Sequence, residues 1–218
     1  MVPLTIAIDM DDVLENLTAA WCEELNRRYG TNVHDTDLKE WDMSVAFPEL
    51  LPTQIYGVLE EPEFWDTVKP MPGAVESVRQ LINMGHSVYV VTASSLYTIR
   101  DKMERCLFKY FPFLTWGNVV ITQKKQIINC DVMIDDAPHN LIGGCYAKIL
   151  YLRPFNMTAP YKAHKIQRVR SWDEIMWCIG LLSGEDTTQY TEDNEWQTHN
   201  RLVSSTKMSL DNASARVI

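Results

Sequence analysis

The chain is short of positive charge. Its 218 residues carry 20 Lys and Arg against 29 Asp and Glu, a formal net charge of −9. Affinity for a nucleic-acid backbone comes from clustered Lys and Arg that release counterions, so this balance argues against a nucleic-acid polymer as the main partner. Five cysteines, Cys22, Cys106, Cys130, Cys145 and Cys178, form no CxxC pair. An odd, unpatterned set of this kind reads as reduced thiols in a cytosolic setting. The longest apolar stretch, "IMWCIGLL", falls far short of the ~20 residues that span a bilayer, so no membrane association is expected. No basic n-region and apolar h-region open the chain, so a signal peptide is not expected and a cytoplasmic location is. No internal repeat is visible.

What the chain does have is apolar content, 46% of residues, enough for a packed core in one domain or one domain with an insertion. Short apolar runs recur, each ending in a polar turn: "LTIAI" before Asp9, "SVYVV" before Thr92, "NVVI" before Thr122, "DVMI" before Asp135 and "KILYL" before Arg153. Their length and near-continuous apolarity suit strands buried on both faces. Between them lie helices. "PGAVESVRQLINMG" starts at Pro72 and ends at Gly85, "SSLYTIRDKMERCLFKYF" runs up to Pro112, and "SWDEIMWCIGLL" begins with Ser171 and Glu174 at capping-box spacing. Strands alternating with helices predict an α/β fold with a parallel, five-stranded, Rossmann-like sheet.

The first crossover is too long for a simple unit. No buried strand is evident between Asp12 and Pro70, whereas "LTAAWCEELNRRYG" and "PTQIYGVLEE" read as helices. The division expected is a catalytic core over 1–14 and 71–183, a small helical cap over 15–70 acting as a lid, and a polar tail over 184–218, loosely packed or disordered.

Ligands of parallel sheets bind at the carboxyl ends of the strands, where Asp9, Thr92, Asp135 and Asp136 are expected. Asp9 and Asp11 share a face in extended backbone. Such carboxylates repel unless a cation joins them or one is protonated, and a hard oxygen site suits Mg²⁺. Taken one at a time, these acids also fit solvated loop positions. Lys125, ten residues before Asp135, would neutralise phosphate oxygens and hold a carboxylate ionised. Thr92, with the N–H groups of Ala93 and Ser94 beyond it, would bind a phosphate oxygen. The basic stretch "YKAHKIQRVR" reads as solvated surface, and His139 as a marginal neighbour of the acidic pair.

In order and spacing, "IDMDDV", "VVTAS" and "KQIINCDVMIDD" resemble the motifs of the haloacid dehalogenase (HAD) superfamily, over roughly residues 5–180. "EFWDTVKPMPGAVESVRQL" followed by "GHSVYVVTAS" narrows the resemblance to the 5'(3')-deoxyribonucleotidase family. The resemblance implies a phosphatase with Asp9 as nucleophile and Asp11 as general acid/base. It implies Mg²⁺ held by Asp9, the Asp11 backbone carbonyl and Asp136, with Asp135 supporting, and phosphate held by Thr92 and Lys125. The implied substrate is a small phosphorylated molecule, a (deoxy)nucleoside monophosphate above all, with Phe64 and Trp65 as candidates to pack on base or sugar. A monomer and a homodimer are both compatible with this reading. One departure stands out: the family usually has Gly where this chain has Asp12, a residue that tolerates left-handed backbone better than most.

Overall fold

A computed structural model describes residues 1–158 and 162–184. Six parallel strands form one sheet: β1 (Thr5–Ile8), β2 (Ser87–Thr92), β3 (Val119–Ile121), β4 (Val132–Asp135), β5 (Ala147–Tyr151) and β6 (Ile166–Val169). Their order is β3-β2-β1-β4-β5-β6. The five expected strands are present, and the expected count of five is corrected by the sixth. β6 comes from within the basic stretch read as solvated surface. Its sequence, IQRV, is apolar only at its two ends, which are its buried positions. It pairs on one side only, with β5. An edge strand tolerates polar side chains, so the apolar run that marks the other strands is missing here.

Both faces of the sheet are covered, which is why the central strands are mostly apolar. Ile6 and Ile8 of β1 share one buried cluster with Val88, Val90, Val132, Ile134 and Ile149. Ala7 points the other way, into a smaller cluster with Val91, Met133, Leu141 and Leu150. Each fully buried Ile contributes roughly 1.5–3 kcal/mol.

Between β1 and β2 the chain is helical. It runs through α1 (Leu17–Tyr29), α2 (Met43–Ala46), α3 (Pro52–Tyr56) and several 3-10 turns before α4 (Ala74–Asn83) leads into β2. Trp21, Leu25, Phe64 and Trp65 of this insertion belong to the same apolar cluster as the sheet. Its outgoing and returning segments are laced together, Asn16 N–H donating to Lys69 O (2.8 Å) and Met71 N–H to Leu14 O (2.9 Å). After β2 a helical run over 99–110 comprises α5 (Ile99–Asp101), a π-helical turn (Lys102–Leu107) and α6 (Phe108–Tyr110). The short α7 (Pro138–Leu141) follows β4, and α8 (Trp172–Ser183) follows β6. As its sequence predicts, α8 starts with the Ser171 hydroxyl accepting from Glu174 N–H (3.3 Å). Gly85, expected to close α4, has φ of 88°. The tail over 185–218 lies outside the described residues.

Candidate active site

Register builds the site. Ile8 pairs with Ile134 of β4 and with Val90 of β2. The next residue of β1's chain, Asp9, therefore emerges beside Asp135 and Asp136 on one side and Thr92 on the other. Asp9 N–H still donates to Ile134 O (2.8 Å), which holds its backbone in the sheet direction.

Two buried lysines divide the acids into two groups. Lys125, on the 3-10 turn before β4, places Nζ 2.6 Å from Asp9 Oδ1 and 2.8 Å from Asp135 Oδ2. Asp9 Oδ1 also accepts from Met10 N–H (2.7 Å), so Oδ2 is the oxygen left to react. Asp135 is fully engaged: besides Lys125 it accepts from Ala137 N–H (2.8 Å) and from the Asn140 amide (3.1 and 3.2 Å). Asp136 is different. It is buried, yet among the described residues no donor reaches its carboxylate. Asp9, Asp135 and Asp136 offer oxygens that all lie within 4.8 Å of one another.

Burial, resisted by Lys125 and helped by the charges of Asp135 and Asp11, pushes Asp9 up to about 7. Burial, with the charges of Asp9 and Asp135, drives Asp136 well above the usual carboxylate range. These are the properties of carboxylates gathered without enough counter-charge.

The second lysine is Lys102, which sequence reasoning missed. Its Nζ lies 2.6 Å from Asp11 Oδ2, donates to Thr92 Oγ1 (2.9 Å) and sits 5.6 Å from the centre of the Trp65 ring. Lys102 is the first residue of the π-helical turn. Such turns shift side-chain direction within a helix and recur at functional sites. A lysine in an amphipathic helix otherwise reads as surface charge, so the sequence carried no signal for it. Burial by itself would raise Asp11. The Lys102 ammonium outweighs it, so Asp11 is held below its ordinary value. Glu15, 1% exposed, has no N–H or hydroxyl donor on its carboxyl, and Asp11 Oδ1 has none either. Burial and the Asp11 charge raise Glu15 well above the usual range.

Asp12 adopts the left-handed backbone that a Gly would take, with φ of 57°. Its carboxylate turns away from the acidic cluster. It accepts from Thr18 N–H (3.2 Å) and from the Thr18 hydroxyl, capping the first turn of α1 where Asn16, at the N-cap, makes no side-chain cap bond. It also lies 3.3 Å from Arg153 Nη2. The Arg153 guanidinium reaches Asn16 Oδ1 (2.8 Å) and Asp35 Oδ2 (3.3 Å) as well. Burial, offset by Arg153 and Thr18, brings Asp12 to about 6.

The remaining predicted residues fall less centrally. Thr92 is fully buried beside Lys102. Beyond it Ala93 is exposed, while the Ser94 hydroxyl turns back onto Thr98 Oγ1 (2.9 Å). Phe64 and Trp65 are both 3% exposed. Their rings meet edge to face at 5.4 Å, and Trp65 Nε1 donates to Leu59 O (3.0 Å). Only Trp65, through Lys102, borders the site. His139 is exposed, and only its backbone carbonyl is engaged, accepting from Gln126 (2.8 Å).

A parallel sheet with an acidic crevice at its carboxyl ends and a helical insertion after the first strand defines a HAD-type hydrolase fold. Solved structures agree. A HAD family hydrolase of Deinococcus radiodurans with bound phosphate and sodium superposes with a TM-score of 0.54 at 14% identity, over 81% of this chain and 95% of that one. A Bacillus subtilis protein described as a HAD-hydrolase, solved bound to magnesium, gives 0.50 at 14% identity, over 80% and 97%. Residues 3–183 match the family described as "5' nucleotidase, deoxy (Pyrimidine), cytosolic type C protein", and the chain belongs to that family. Among curated relatives, the 5'(3')-deoxyribonucleotidase of Clostridium acetobutylicum is 28% identical over 170 residues, 78% of this chain and 91% of that one. The protein of the same name from Bacillus subtilis is 31% identical over 172 residues, 78% and 95% of the two chains.

Proposed function

We propose that the chain is a Mg²⁺-dependent hydrolase of (deoxy)nucleoside monophosphates that works through an aspartyl-phosphate on Asp9. Membership of a nucleotidase family makes it a phosphomonoester hydrolase. The observation that carries the residue-level reading is the meeting of Asp9 with Lys125 and the Asp135/Asp136 pair at the end of β1. The acidic trio fits a divalent ion: three buried carboxylates within 4.8 Å, one of them without a protein donor. Asp9 and Asp136 would hold Mg²⁺, with Asp135 tethered behind them. When bound, Mg²⁺ supplies positive charge to offset that on the transferring phosphoryl group.

The protein's own groups then divide the work. Asp9 Oδ2 attacks phosphorus and the ester P–O bond breaks. Lys125, Lys102 and Thr92 surround the place where phosphoryl charge grows. An incoming phosphate dianion repels the Asp11 carboxylate and draws on Lys102, so Asp11 gains the proton that it gives to the leaving alkoxide. Back in its ionised form, Asp11 takes a proton from water as that water attacks the phospho-Asp9, releasing phosphate and free enzyme. The insertion acts as the lid, with Trp65 the member of the aromatic pair placed to meet base or sugar. The five free thiols fit a reducing compartment, and among the described residues no helix is long and apolar enough to cross a membrane.

A panel of phosphomonoesters assayed for released phosphate at saturating Mg²⁺ tests the reading. Preference for nucleoside monophosphates is the result expected. A preference for sugar phosphates would reassign the substrate, and no activity anywhere would mark a silent binding protein.

A further inference from the structure

We propose that Asn156 is a positioning residue for Asp136. The proposal rests on the reading of the acidic trio as a Mg²⁺ site. Asn156 closes the 3-10 turn Pro154–Asn156 that follows β5 and is 4% exposed. Its Nδ2 donates to the backbone carbonyls of Asp136 (2.7 Å) and Tyr151 (2.8 Å). Its Oδ1 accepts from Arg153 N–H (3.0 Å). One planar amide thus ties the end of β4 to the end of β5 and to the residue whose guanidinium grips the insertion.

The need for such a tie follows from what Asp136 must do. Asp135 is fixed from the front by Lys125, Ala137 and Asn140. A carboxylate that is to meet a cation cannot be fixed that way, because its oxygens must stay open. Its aim has to come from its backbone. Among the described residues, Asn156 makes the only side-chain hydrogen bond to the Asp136 main chain. Removing the amide would leave two carbonyls without their donor and free the Asp136 peptide to turn, moving the carboxylate off the cation. Groups that orient a metal ligand in this manner are worth about ten- to a hundredfold in metal affinity.

A residue that merely stitched the turn would lower stability without changing affinity, and the experiment separates the two. Mg²⁺ is titrated calorimetrically into the full-length wild type, Asn156→Ala, Asn156→Ser and Val78→Ala, the last a core control on α4. Melting temperatures and the Mg²⁺ dependence of phosphate release are recorded for each. The expected result is a Mg²⁺ dissociation constant weakened about ten- to a hundredfold in both Asn156 variants. The Mg²⁺ needed for half-maximal rate should rise in parallel, and kcat should recover at saturating Mg²⁺. Val78→Ala should melt lower and bind Mg²⁺ as the wild type does. Asn156 variants that bind Mg²⁺ within about twofold of wild type, losing only melting temperature, overturn the proposal and leave the metal reading intact. A wild type that binds no Mg²⁺ overturns the metal reading, and the proposal falls with it.

Discussion

Replacing Lys102 with Met keeps the length of the side chain and removes its charge. At 2.6 Å from Asp11 the gross attraction is about 6 kcal/mol at an effective dielectric constant of 20. Most of that offsets the desolvation of the two charges. What the variant exposes is the cost of leaving one partner alone, about 3–5 kcal/mol for a fully buried pair. The Asp11 side chain keeps 29% exposure, and water there will relieve part of the cost, so about 3 kcal/mol or less is expected. For a domain of this size that is a fall of about 6–12 °C in melting temperature. The catalytic loss is separate. The hydrogen bond to Thr92 goes, and with it a cation facing the phosphoryl group, an effect of about 10²–10³ in kcat by comparison with the loss of one oxyanion donor. Asp11, no longer held down by Lys102, should also titrate higher. The assay is phosphate release from a nucleoside monophosphate across pH, with melting curves on the same samples. A variant with a lowered melting temperature but wild-type kcat and pH profile would refute the argument and make Lys102 a structural ion-pair residue.

Other perturbations separate the remaining roles. Asp9→Asn should abolish phosphate release while leaving the melting temperature unchanged or raised, because it removes one of three buried like charges; residual wild-type-like turnover would exclude the covalent route. Mg²⁺ at a hundred times its dissociation constant should stabilise the wild type by about 2.7 kcal/mol, seen as a rise in melting temperature that a chelator reverses and that Asp136→Asn lacks. Trp65→Ala should cost about 3–5 kcal/mol of stability, since the ring is buried. If Trp65 also meets the nucleoside, its kcat/KM should fall further for a nucleoside monophosphate than for a small aryl phosphate, whereas equal losses would confine it to packing.

The parts of the fold legible in the sequence are those whose signal is local. β1, β4 and β5 announced themselves because strands covered on both faces need nearly every residue apolar, and β2 and β3 by their β-branched runs, β3 at the other edge of the sheet. The helix after Ser171 was marked by an N-cap that the structure repeats, and the helix after Pro72 by Gly85, which takes left-handed backbone past its end. β6 was hidden because its environment, one partner strand and one wet edge, permits the polar residues that made it look like surface. The clustering of Asp9, Asp135 and Asp136 was legible for a topological reason: they follow apolar runs, and a parallel sheet brings such ends together. Lys102 was not legible because its inward aim depends on a π-helical turn, a property of backbone geometry and packing that leaves no residue pattern. The insertion's aromatics show the limit from the other side. Phe64 and Trp65 are candidates to pack on base or sugar by resemblance alone, and both rings are buried. A ring's type says nothing of which side the fold will cover.

Charge counting explains why three carboxylates crowd the end of β1 and why Asp12 is tolerated among them. Among the described residues, six acids, Asp9, Asp11, Asp12, Glu15, Asp135 and Asp136, meet three cations, Lys102, Lys125 and Arg153, with Asp35 sharing Arg153 from the side. Asp12 is paired with Arg153, so the two cancel. Five acids and two lysines remain, a deficit of three. Glu15, raised well above the usual range, is the acid readiest to carry a proton, and with one there the deficit is two. Without a further cation that residue of charge has to be met by protons, and Asp9 and Asp136 are the acids pushed upward. They are also the two whose carboxylates the protein leaves partly or wholly without donors. A single divalent ion between them would restore neutrality ahead of a phosphate, so the shortage of positive charge that marks the whole chain would become, at this one place, the specification for a ligand.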